Sequence, residues 1–348
     1  MNGERPLALL GATGYAGGLV LERVRELGVP LRLVGRRRDA LEAIAREGDE
    51  VRVADARHEA ELIDAFDGAF AVASTAGPFL ENGQRVVGAA VAVAAHYVDI
   101  CVEQSFARIV YEGFDESAEE RGVTLLPSFG LGYAVGDFAA RLAAESLTEP
   151  LDEIVTAYSS AGVRTSPGTR RTAADLMRQE QVAWRDGLVG SRFGKTTRRI
   201  RFPDRVRGVV EFAGVEPLSV PRHTRVHEVR SYVAVPRVVA LGGLLAPLAA
   251  PAAGLAARVG GAPSAEQRKK WRWTVVAEAR AGSEVSRATL RGTDVYGLTA
   301  LLVAHAADAL RRGEAVGPGA LAPAQAFDVH AFVPRLAPLL ELAGIDTI

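Results

Sequence analysis

The sequence contains one cysteine, Cys101, in 348 residues. A single cysteine cannot form an internal disulfide or a cysteine-based metal cluster. Net charge is also almost absent, since 41 Lys and Arg residues stand against 42 Asp and Glu residues. This balance gives no global electrostatic reason to expect a nucleic acid as partner. The first apolar segment begins within ten residues of Met1 and leaves no space for a signal peptide, so we expect a cytoplasmic protein.

Long uncharged segments are scarce, with one exception at residues 238–257. These 20 residues have about the length of a bilayer span. Alanine dominates them, and Pro247, Pro251 and three glycines interrupt a continuous spanning helix. Three interpretations remain open: apolar helices that cover a substrate cavity or a subunit interface, contact with a membrane surface, and a true span.

Glycines with the spacing G-x-x-G-x-x-G follow the first apolar segment, Leu7 to Leu10, and precede a helical pattern. Gly11 would allow a sharp turn, Gly14 would leave room for a pyrophosphate, and Gly17 would let the helix pack close to the sheet. The phosphates would then bind amide groups at the helix N-terminus. The alternative is a glycine-rich turn without a ligand. The predicted cofactor-binding residues here are Gly11, Thr13, Gly14, Tyr15, Ala16 and Gly17.

Short apolar strands alternate with helical patterns over the first 130 residues, which predicts an α/β fold with a Rossmann-type doubly wound parallel sheet. Beyond about residue 150, longer polar–apolar alternations predict a second α+β domain on a mixed or antiparallel sheet. We also expect helices over Thr172–Arg185, through residues 238–257, from Ser264 with a capping box, and over Leu298–Arg311. The predicted domains are 1–148 for dinucleotide binding, 149–294 for substrate binding and dimerisation, and 295–348 for C-terminal helices that return to the first domain.

The residues after the second predicted strand are Gly35, Arg36, Arg37 and Arg38. An acidic residue at this place would bind the ribose hydroxyls of NAD, whereas guanidinium groups suit the 2′-phosphate of NADP. We therefore predict NADP(H), held here by Gly35, Arg36 and Arg37, with Asp55 at the adenine edge; the alternatives are a solvated basic start to a helix and an ordinary loop aspartate. After the fourth strand, small residues would allow close approach to the nicotinamide ribose; this predicted set is Ser74, Thr75, Ala76, Gly77, Pro78 and Phe79.

The sequence resembles the saccharopine dehydrogenase-like oxidoreductases, which include saccharopine reductases and trans-acting enoyl reductases. The similar segments are Gly11–Gly18, Val34–Arg37, Ser74–Ala90, His96–Glu103, Pro127–Ala140, Gly292–Ala300 and Gly319–Phe327. At Cys101 and Val102 the sequence departs from the Thr-Gly more common in the family. The resemblance implies a nucleotide domain interrupted by a mixed substrate and dimerisation domain, NADP(H)-linked redox chemistry and a homodimer.

Candidate catalytic residues lie on or after the fifth predicted strand. Tyr97 and Asp99 share one side of that strand, because side chains repeat every two residues, and together could hold an iminium or donate a proton. The alternative is that Tyr97 packs in the core and Asp99 caps the following loop. Glu103, in the loop, is expected to be the most accessible of the three. We expect Phe129 and Gly130 to close over the nicotinamide.

Ser166, Thr169 and Arg170 are candidates for binding an anionic substrate group, with helix capping as the alternative. No metal site is expected, because His223 and His227 lie in a strand-like segment. None of the seven tyrosines has a lysine four residues later, which argues against the Tyr-x-x-x-Lys chemistry of short-chain dehydrogenases. We predict an NADPH-dependent reductase of a C=N or conjugated C=C bond in a fairly apolar substrate. The alternatives are a non-catalytic NADP-binding sensor or scaffold and a carbonyl reductase.

Overall fold

The computed structural model describes residues 5–162, 166, 180–234 and 261–347. The chain divides into two compact units. The first unit comprises Met1–Leu131 and Tyr296–Phe327, and the second comprises Gly132–Val295 and Asp328–Ile348.

A parallel sheet of seven strands forms the centre of the described first unit. Its strands are β1 (Leu7–Leu10), β2 (Leu31–Gly35), β3 (Glu50–Val53), β4 (Ala71–Ser74), β5 (His96–Asp99), β6 (Thr124–Leu126) and β15 (Gly319–Ala320). They lie in the order β15-β6-β5-β4-β1-β2-β3. β1 and β4 are buried along their whole length, as expected for a sheet covered on both faces.

Helices connect these strands, as parallel neighbours require. They are α1 (Tyr15–Glu26), α2 (Arg38–Glu42), α3 (Glu59–Phe66), α4 (Phe79–Ala92), α5 (Gln104–Gly113), α6 (Asp115–Arg121), α10 (Val295–Arg311) and α11 (Pro323–Ala326). The predicted doubly wound α/β fold is confirmed. The single helix expected after β5 is two helices, because the chain turns at Phe114 and places the Asp115 carboxylate 2.8 Å from the Ala320 amide, which donates to it.

Nine strands of the described second unit form a mixed sheet. They are β7 (Leu151–Ala161), β8 (Gln181–Arg185), β9 (Leu188–Ser191), β10 (Thr197–Arg201), β11 (Val206–Glu211), β12 (Val226–Ala234), β13 (Arg272–Ala281), β14 (Glu284–Thr293) and β16 (Leu340–Thr347). The main path is β10-β11-β12-β7-β13-β14-β16, and β8 joins β12 to β9. β7 and β12 run parallel, while the other pairs are antiparallel. The second sheet is therefore mixed, one of the two forms that the sequence predicts.

Helix α7 (Ala134–Ala144) packs on β7, β13 and β14 and is buried along nearly all its length. The other described helices of the second unit are α8 (Glu216–Ser219), α9 (Ala265–Lys269) and α12 (Val329–Phe332), with 3₁₀ turns at Val220–Arg222 and Val333–Leu336. The capping box at Ser264 is confirmed, since Ser264 Oγ accepts from Gln267 N and Gln267 Oε1 accepts from Ser264 N.

Two segments differ from the sequence prediction. Gln181–Arg185, the end of the expected helix over Thr172–Arg185, is strand β8, because it pairs with β12 and β9. Leu340–Thr347, where C-terminal helices are predicted, is strand β16, which pairs with β14 in the second sheet. The partner of β16 is distant in sequence, whereas β8 pairs both with the distant β12 and with β9, which follows it directly after Asp186 and Gly187.

Residues 238–257 lie outside the described residues. Among the helices that the structure describes, none has the length and apolarity required to cross a membrane.

Candidate functional site

The glycine turn joins β1 to α1 at the carboxyl edge of the first unit's sheet. Gly11 has a φ of +93°, a backbone conformation that residues with a Cβ rarely adopt. At Gly17 a Cβ would stand 2.0 Å from the Gly11 carbonyl oxygen, so only glycine lets α1 pass this close. Helix α1 begins with no side-chain cap and no acidic residue in its first turn. Its first amides can therefore bind an anion, and the neighbouring Thr13 and Gly14 are exposed.

Arg36 and Arg37 follow β2 at the same edge, directly after Gly35. Both side chains are exposed, and neither forms an ion pair with any residue that the structure describes. Arg38 differs, because its guanidinium lies 3.5 Å from the Glu42 carboxylate. Arg36 and Arg37 thus offer guanidinium donors to a ligand, as the sequence predicts for a 2′-phosphate.

Asp55 lies just past β3, and its carboxylate is hydrogen-bonded to the side chain of a neighbouring arginine. The Arg57 guanidinium donates to both carboxylate oxygens of Asp55, with Nη2 2.6 Å from Oδ2. These hydrogen bonds hold the pKa of Asp55 well below its usual range, and the charge of Arg36 lowers it further. Arg57 is a residue of this edge that the sequence analysis missed, although its spacing from Asp55 is a local signal for such a pair.

The loop after β4 touches the glycine turn. Thr75 donates from its amide and its hydroxyl to the Leu10 carbonyl, at 2.9 and 3.1 Å. Thr75 Oγ1 also lies 2.7 Å from the positions that a Cβ on Gly11 or Gly17 would take. Ala76 is half-buried, Gly77 and Pro78 are exposed, and Phe79 packs against Phe106 at the start of α4. The small residues of this loop therefore leave the edge of the sheet open beside the turn.

Tyr97 and Asp99, on β5, are fully buried. Asp99 Oδ1 accepts from the amides of Cys101 and Ser128, both at 2.8 Å, so this carboxyl group ties together the loops after β5 and β6. Burial raises the pKa of Asp99 to about 7, against the opposing effect of those hydrogen bonds. Burial, and next the charge of Asp99, raise the pKa of Tyr97. The alternative foreseen from the sequence, a core tyrosine and a loop-capping aspartate, is the arrangement observed.

Glu103 is buried as well: with 6% of its surface exposed it is the most accessible of the three candidates, as expected, but it is not open to solvent. Its carboxylate lies 3.1 Å from Cys101 Sγ and 3.1 Å from the Val102 amide. The loop folds back on its own thiol, and burial raises the pKa of Cys101. The structure thus assigns Glu103 to the internal bonding of the loop.

Four buried polar atoms on or just after β4, β5 and β6 lack a partner with good hydrogen-bond geometry within the described ranges. They are Ser74 Oγ, Tyr97 OH, Asp99 Oδ2 and Ser128 Oγ, although Tyr97 lies close enough to Asp99 and Ser74 for hydrogen bonding with them to affect its pKa. Buried polar atoms are normally hydrogen-bonded, so such a concentration indicates a place where a polar ligand group or water binds. Ser128, which has a positive φ of 59°, was not identified from the sequence.

Phe129 and Gly130 follow β6 and are buried in the first unit. The Phe129 amide donates to the Asp99 carbonyl at 2.7 Å, and its ring packs edge-on against Phe327. Gly130 lies beside the Thr299 side chain. Tyr296 is another residue that sequence reasoning missed: its ring meets Tyr15 edge-on at 5.1 Å.

Of the three substrate candidates, Ser166 is described and buried, while Thr169 and Arg170 lie outside the described residues. Within the second unit, His223 lies 3.1 Å from the Asp137 carboxylate and His227 lies 2.7 Å from Asp186. Glu216 is fully buried there and accepts hydrogen bonds from Tyr158 and Ser231. Burial raises the pKa of Glu216 to about 7.

Residues 11–135 match a family model described as NAD(P)H-binding. The chain is 28% identical over 218 residues to a trans-acting enoyl reductase of Mycobacterium ulcerans, covering 58% of this chain and 51% of that protein. It is 26% identical over 149 residues to a saccharopine dehydrogenase-like oxidoreductase of Mus musculus, covering 36% and 35% of the two chains. The chain thus spans about half and about a third of the length of these curated relatives.

A solved structure supports the same fold. Apo saccharopine dehydrogenase (L-Glu forming) from Saccharomyces cerevisiae superposes with a TM-score of 0.62 at 12% identity, covering 99% of this chain and 100% of that chain. Together with the family model, these matches confirm the resemblance and the class of cofactor, a nicotinamide dinucleotide bound by the first unit.

Proposed function

We propose that this chain, which resembles the saccharopine dehydrogenase-like oxidoreductases in sequence and in fold, is an NADPH-dependent reductase. The observation that carries the proposal is the carboxyl edge of the first unit's sheet. That edge carries a glycine turn with no space for a side chain at Gly11 or Gly17, together with two exposed guanidinium groups that form no ion pair with the described residues. The turn suits a pyrophosphate, and the arginines suit a 2′-phosphate.

The residues present fit the cofactor at both ends. The first amides of α1, at Tyr15 and Ala16, would bind the pyrophosphate, and Arg36 and Arg37 would bind the 2′-phosphate. Near the other end, the loop after β4 and the unpaired atoms of Ser74, Tyr97 and Ser128 would accommodate polar groups of the ligand. When bound, the nicotinamide supplies a hydride. The residues of this chain orient it and exclude water around it.

Asp99 enters the proposal as a positioning residue that holds a proton. With a pKa near 7, its Oδ2 carries a proton for part of the time at neutral pH, while Oδ1 keeps the loops after β5 and β6 in place. Asp99→Asn preserves the Oδ1 acceptor and removes the titration. We expect this variant to bind NADPH normally and to lose the pH dependence of kcat near pH 7.

The reacting bond is proposed to be C=N or a conjugated C=C, by analogy with the named activities of the relatives. The apolar character of the substrate rests on residues 238–257, which are outside the described part of the chain. A second candidate function, a non-catalytic NADP-binding sensor or scaffold, is favoured by the burial of Tyr97, Asp99 and Glu103. A carbonyl reductase shares the cofactor and differs only in its substrates.

A fluorescence titration with NADPH and NADH tests the cofactor. The wild type should bind NADPH more tightly than NADH, and Arg36→Ala should weaken NADPH binding roughly 10- to 100-fold, the usual effect of losing a hydrogen bond to a charged group. Arg38→Ala is the matched control, because Arg38 is paired with Glu42, and it should bind NADPH as the wild type does. Equal affinity of wild type and Arg36→Ala for NADPH would contradict the assignment.

Turnover separates the three functions once NADPH binding is established. Oxidation of NADPH over many turnovers with imines or enoyl compounds supports the reductase. Turnover with ketones alone supports a carbonyl reductase, and tight binding without turnover supports a sensor. A homodimer through the sheet of the second unit is also proposed, and light scattering of the full chain tests it.

A further inference from the structure

A cavity of about 650 Å³ opens in the first unit at the amino ends of its parallel strands. The glycine turn lies at the carboxyl ends, so the two sites occupy opposite edges of one sheet. Arg5 precedes β1, Phe70 precedes β4, and His96 begins β5; all three line the cavity. The rest of the wall includes Arg121 at the end of α6, and Leu310 and Arg311 at the end of α10. The volume lies within the usual range for small-molecule sites.

The cavity is strongly cationic. Three arginines line it, and its described lining contains no carboxylate. Arg121 is exposed and forms no ion pair with any residue in the described ranges. Arg5 donates to the carbonyls of Gly68 and Ala69, and among the described residues it forms no ion pair.

Arg311 is the one lining arginine with an acidic neighbour. Its Nη2 lies 3.0 Å from Asp308 Oδ1, but Arg312 Nη2 lies 2.6 Å from the other oxygen of the same carboxylate. Arg312 also lies 4.0 Å from the Glu314 carboxylate, so Arg311 and Arg312 are paired with two carboxylates, Asp308 and Glu314. The surplus of positive charge in the cavity therefore comes from Arg5 and Arg121, and it favours an anionic ligand.

His96 adds a neutral donor. Its Nδ1 accepts from the Thr124 amide at 2.9 Å, which assigns the ring proton to Nε2. Burial, and next the charge of Arg5, lower the pKa of His96, so the ring is neutral at pH 7. A neutral imidazole beside two or three arginines donates to an anion without adding to their mutual repulsion.

The remaining wall is apolar. Phe70, Leu310 and Val123 line the cavity and are buried in the first unit. Guanidinium groups bind phosphate oxygens in pairs, and the surplus charge matches a dianion. We propose that this cavity is a second ligand site, which binds a small phosphate monoester with an apolar body independently of the cofactor.

Calorimetric titration of the full chain with phenyl phosphate tests the site. The titration is performed in the Arg36→Ala variant and with saturating NADPH, so that phenyl phosphate does not bind at the proposed 2′-phosphate site. We expect binding that Arg121→Ala and Arg121→Gln each weaken roughly tenfold or more. Arg108→Ala is the matched control, because Arg108 is an exposed arginine of the same unit, paired with Glu112 outside the cavity. It should leave binding unchanged.

The other arms test the chemistry of the ligand. Inorganic phosphate should bind more weakly than phenyl phosphate, and phenol should not bind. Absence of phenyl phosphate binding at concentrations on the order of 10 mM would overturn the site. The site would also be overturned if both Arg121 variants bound phenyl phosphate as tightly as the wild type. If inorganic phosphate bound as tightly as phenyl phosphate, the apolar wall would have no role in binding.

Discussion

Gly17 lies where helix α1 passes closest to the glycine turn. A methyl group on this residue would stand 2.0 Å from the Gly11 carbonyl oxygen and 2.7 Å from Thr75 Oγ1. Since the first of these atoms is backbone, the helix itself must move. We expect Gly17→Ala to displace the first amides of α1 and to weaken NADPH binding by roughly tenfold or more, measured by fluorescence titration.

The adjacent residue, Gly18, provides the control for Gly17→Ala. A Cβ on Gly18 would have the Ala12 carbonyl as its nearest neighbour, at 3.8 Å, which is ordinary van der Waals contact. Gly18→Ala should therefore retain NADPH affinity and gain slightly in helix propensity. If both variants bound NADPH alike, the close approach at Gly17 would have no role in the cofactor site.

Helix α4 contains two interior glycines that differ in the space available for a side chain. A Cβ on Gly83 would lie 2.3 Å from the fully buried ring of Phe106 on α5. Because a core ring cannot retreat without disturbing its neighbours, Gly83→Ala should lower the free energy of unfolding by about 1–3 kcal/mol. Urea denaturation, followed by circular dichroism, measures this change.

Gly88, one and a half turns further along α4, should respond in the opposite direction. The nearest atoms to its Cβ position are the flexible end of Glu59 at 3.1 Å and the Phe114 ring at 3.8 Å. Gly88→Ala should be neutral or stabilise the protein by up to about 1 kcal/mol, through helix propensity. A loss of stability as large as that of Gly83→Ala would show that α4 tolerates no side chain at either position.

At the scale of the whole molecule, each unit contains a carboxyl group whose pKa burial raises to near neutrality. Burial raises the pKa of Asp99 from 3.8 and that of Glu216 from 4.5, both to about 7. A raised pKa means that the folded state binds the proton more tightly than the unfolded state. The stability contributed by each group is present below about pH 4 and is lost as the pH rises through about 7.

Two conservative variants isolate these contributions. We measure the difference in free energy of unfolding between the wild type and Asp99→Asn, and between the wild type and Glu216→Gln. Each difference should fall by an amount on the order of a few kcal/mol between pH 4 and pH 8. Comparison with the variants removes the opposite effect of His96, whose pKa is lowered. A difference between wild type and variant that stays constant with pH would show that the carboxyl group in question keeps its ordinary pKa.

Local patterns in the sequence predicted most of the first unit. The alternation of apolar strands and amphipathic helices predicted β1 to β6, and glycine spacing predicted the turn before α1, because these features depend on neighbouring residues. The break between α5 and α6 at Phe114 was missed; Asp115, which follows it, accepts a hydrogen bond from the Ala320 amide 205 positions away. Strand β16 was missed because its partner β14 is remote in sequence. Strand β8 also pairs with the adjacent β9 across Asp186 and Gly187, a local hairpin signal that sequence reasoning overlooked.

Burial of the candidate catalytic residues could not be predicted either. The period of a strand placed Tyr97 and Asp99 on one side, but did not show whether that side faces solvent or the core. Glu103 looked accessible because it lies in a loop, yet the loop folds onto Cys101 and buries it. Whether a side chain is accessible depends on what packs over it, and this is a property of the folded chain.

The sequence by itself determined the alternating architecture of the first unit, the glycine turn and the basic residues after β2, because short-range periodicity and backbone freedom specify them. Only the tertiary structure decided which arginines remain unpaired, where Asp99 and Glu103 are buried, and that three arginines meet in a cavity at the amino edge of the sheet. Arg5, Arg121 and Arg311 are far apart in the chain, and they come together because strands and helices that end at one edge of a parallel sheet bring their flanking residues to the same place.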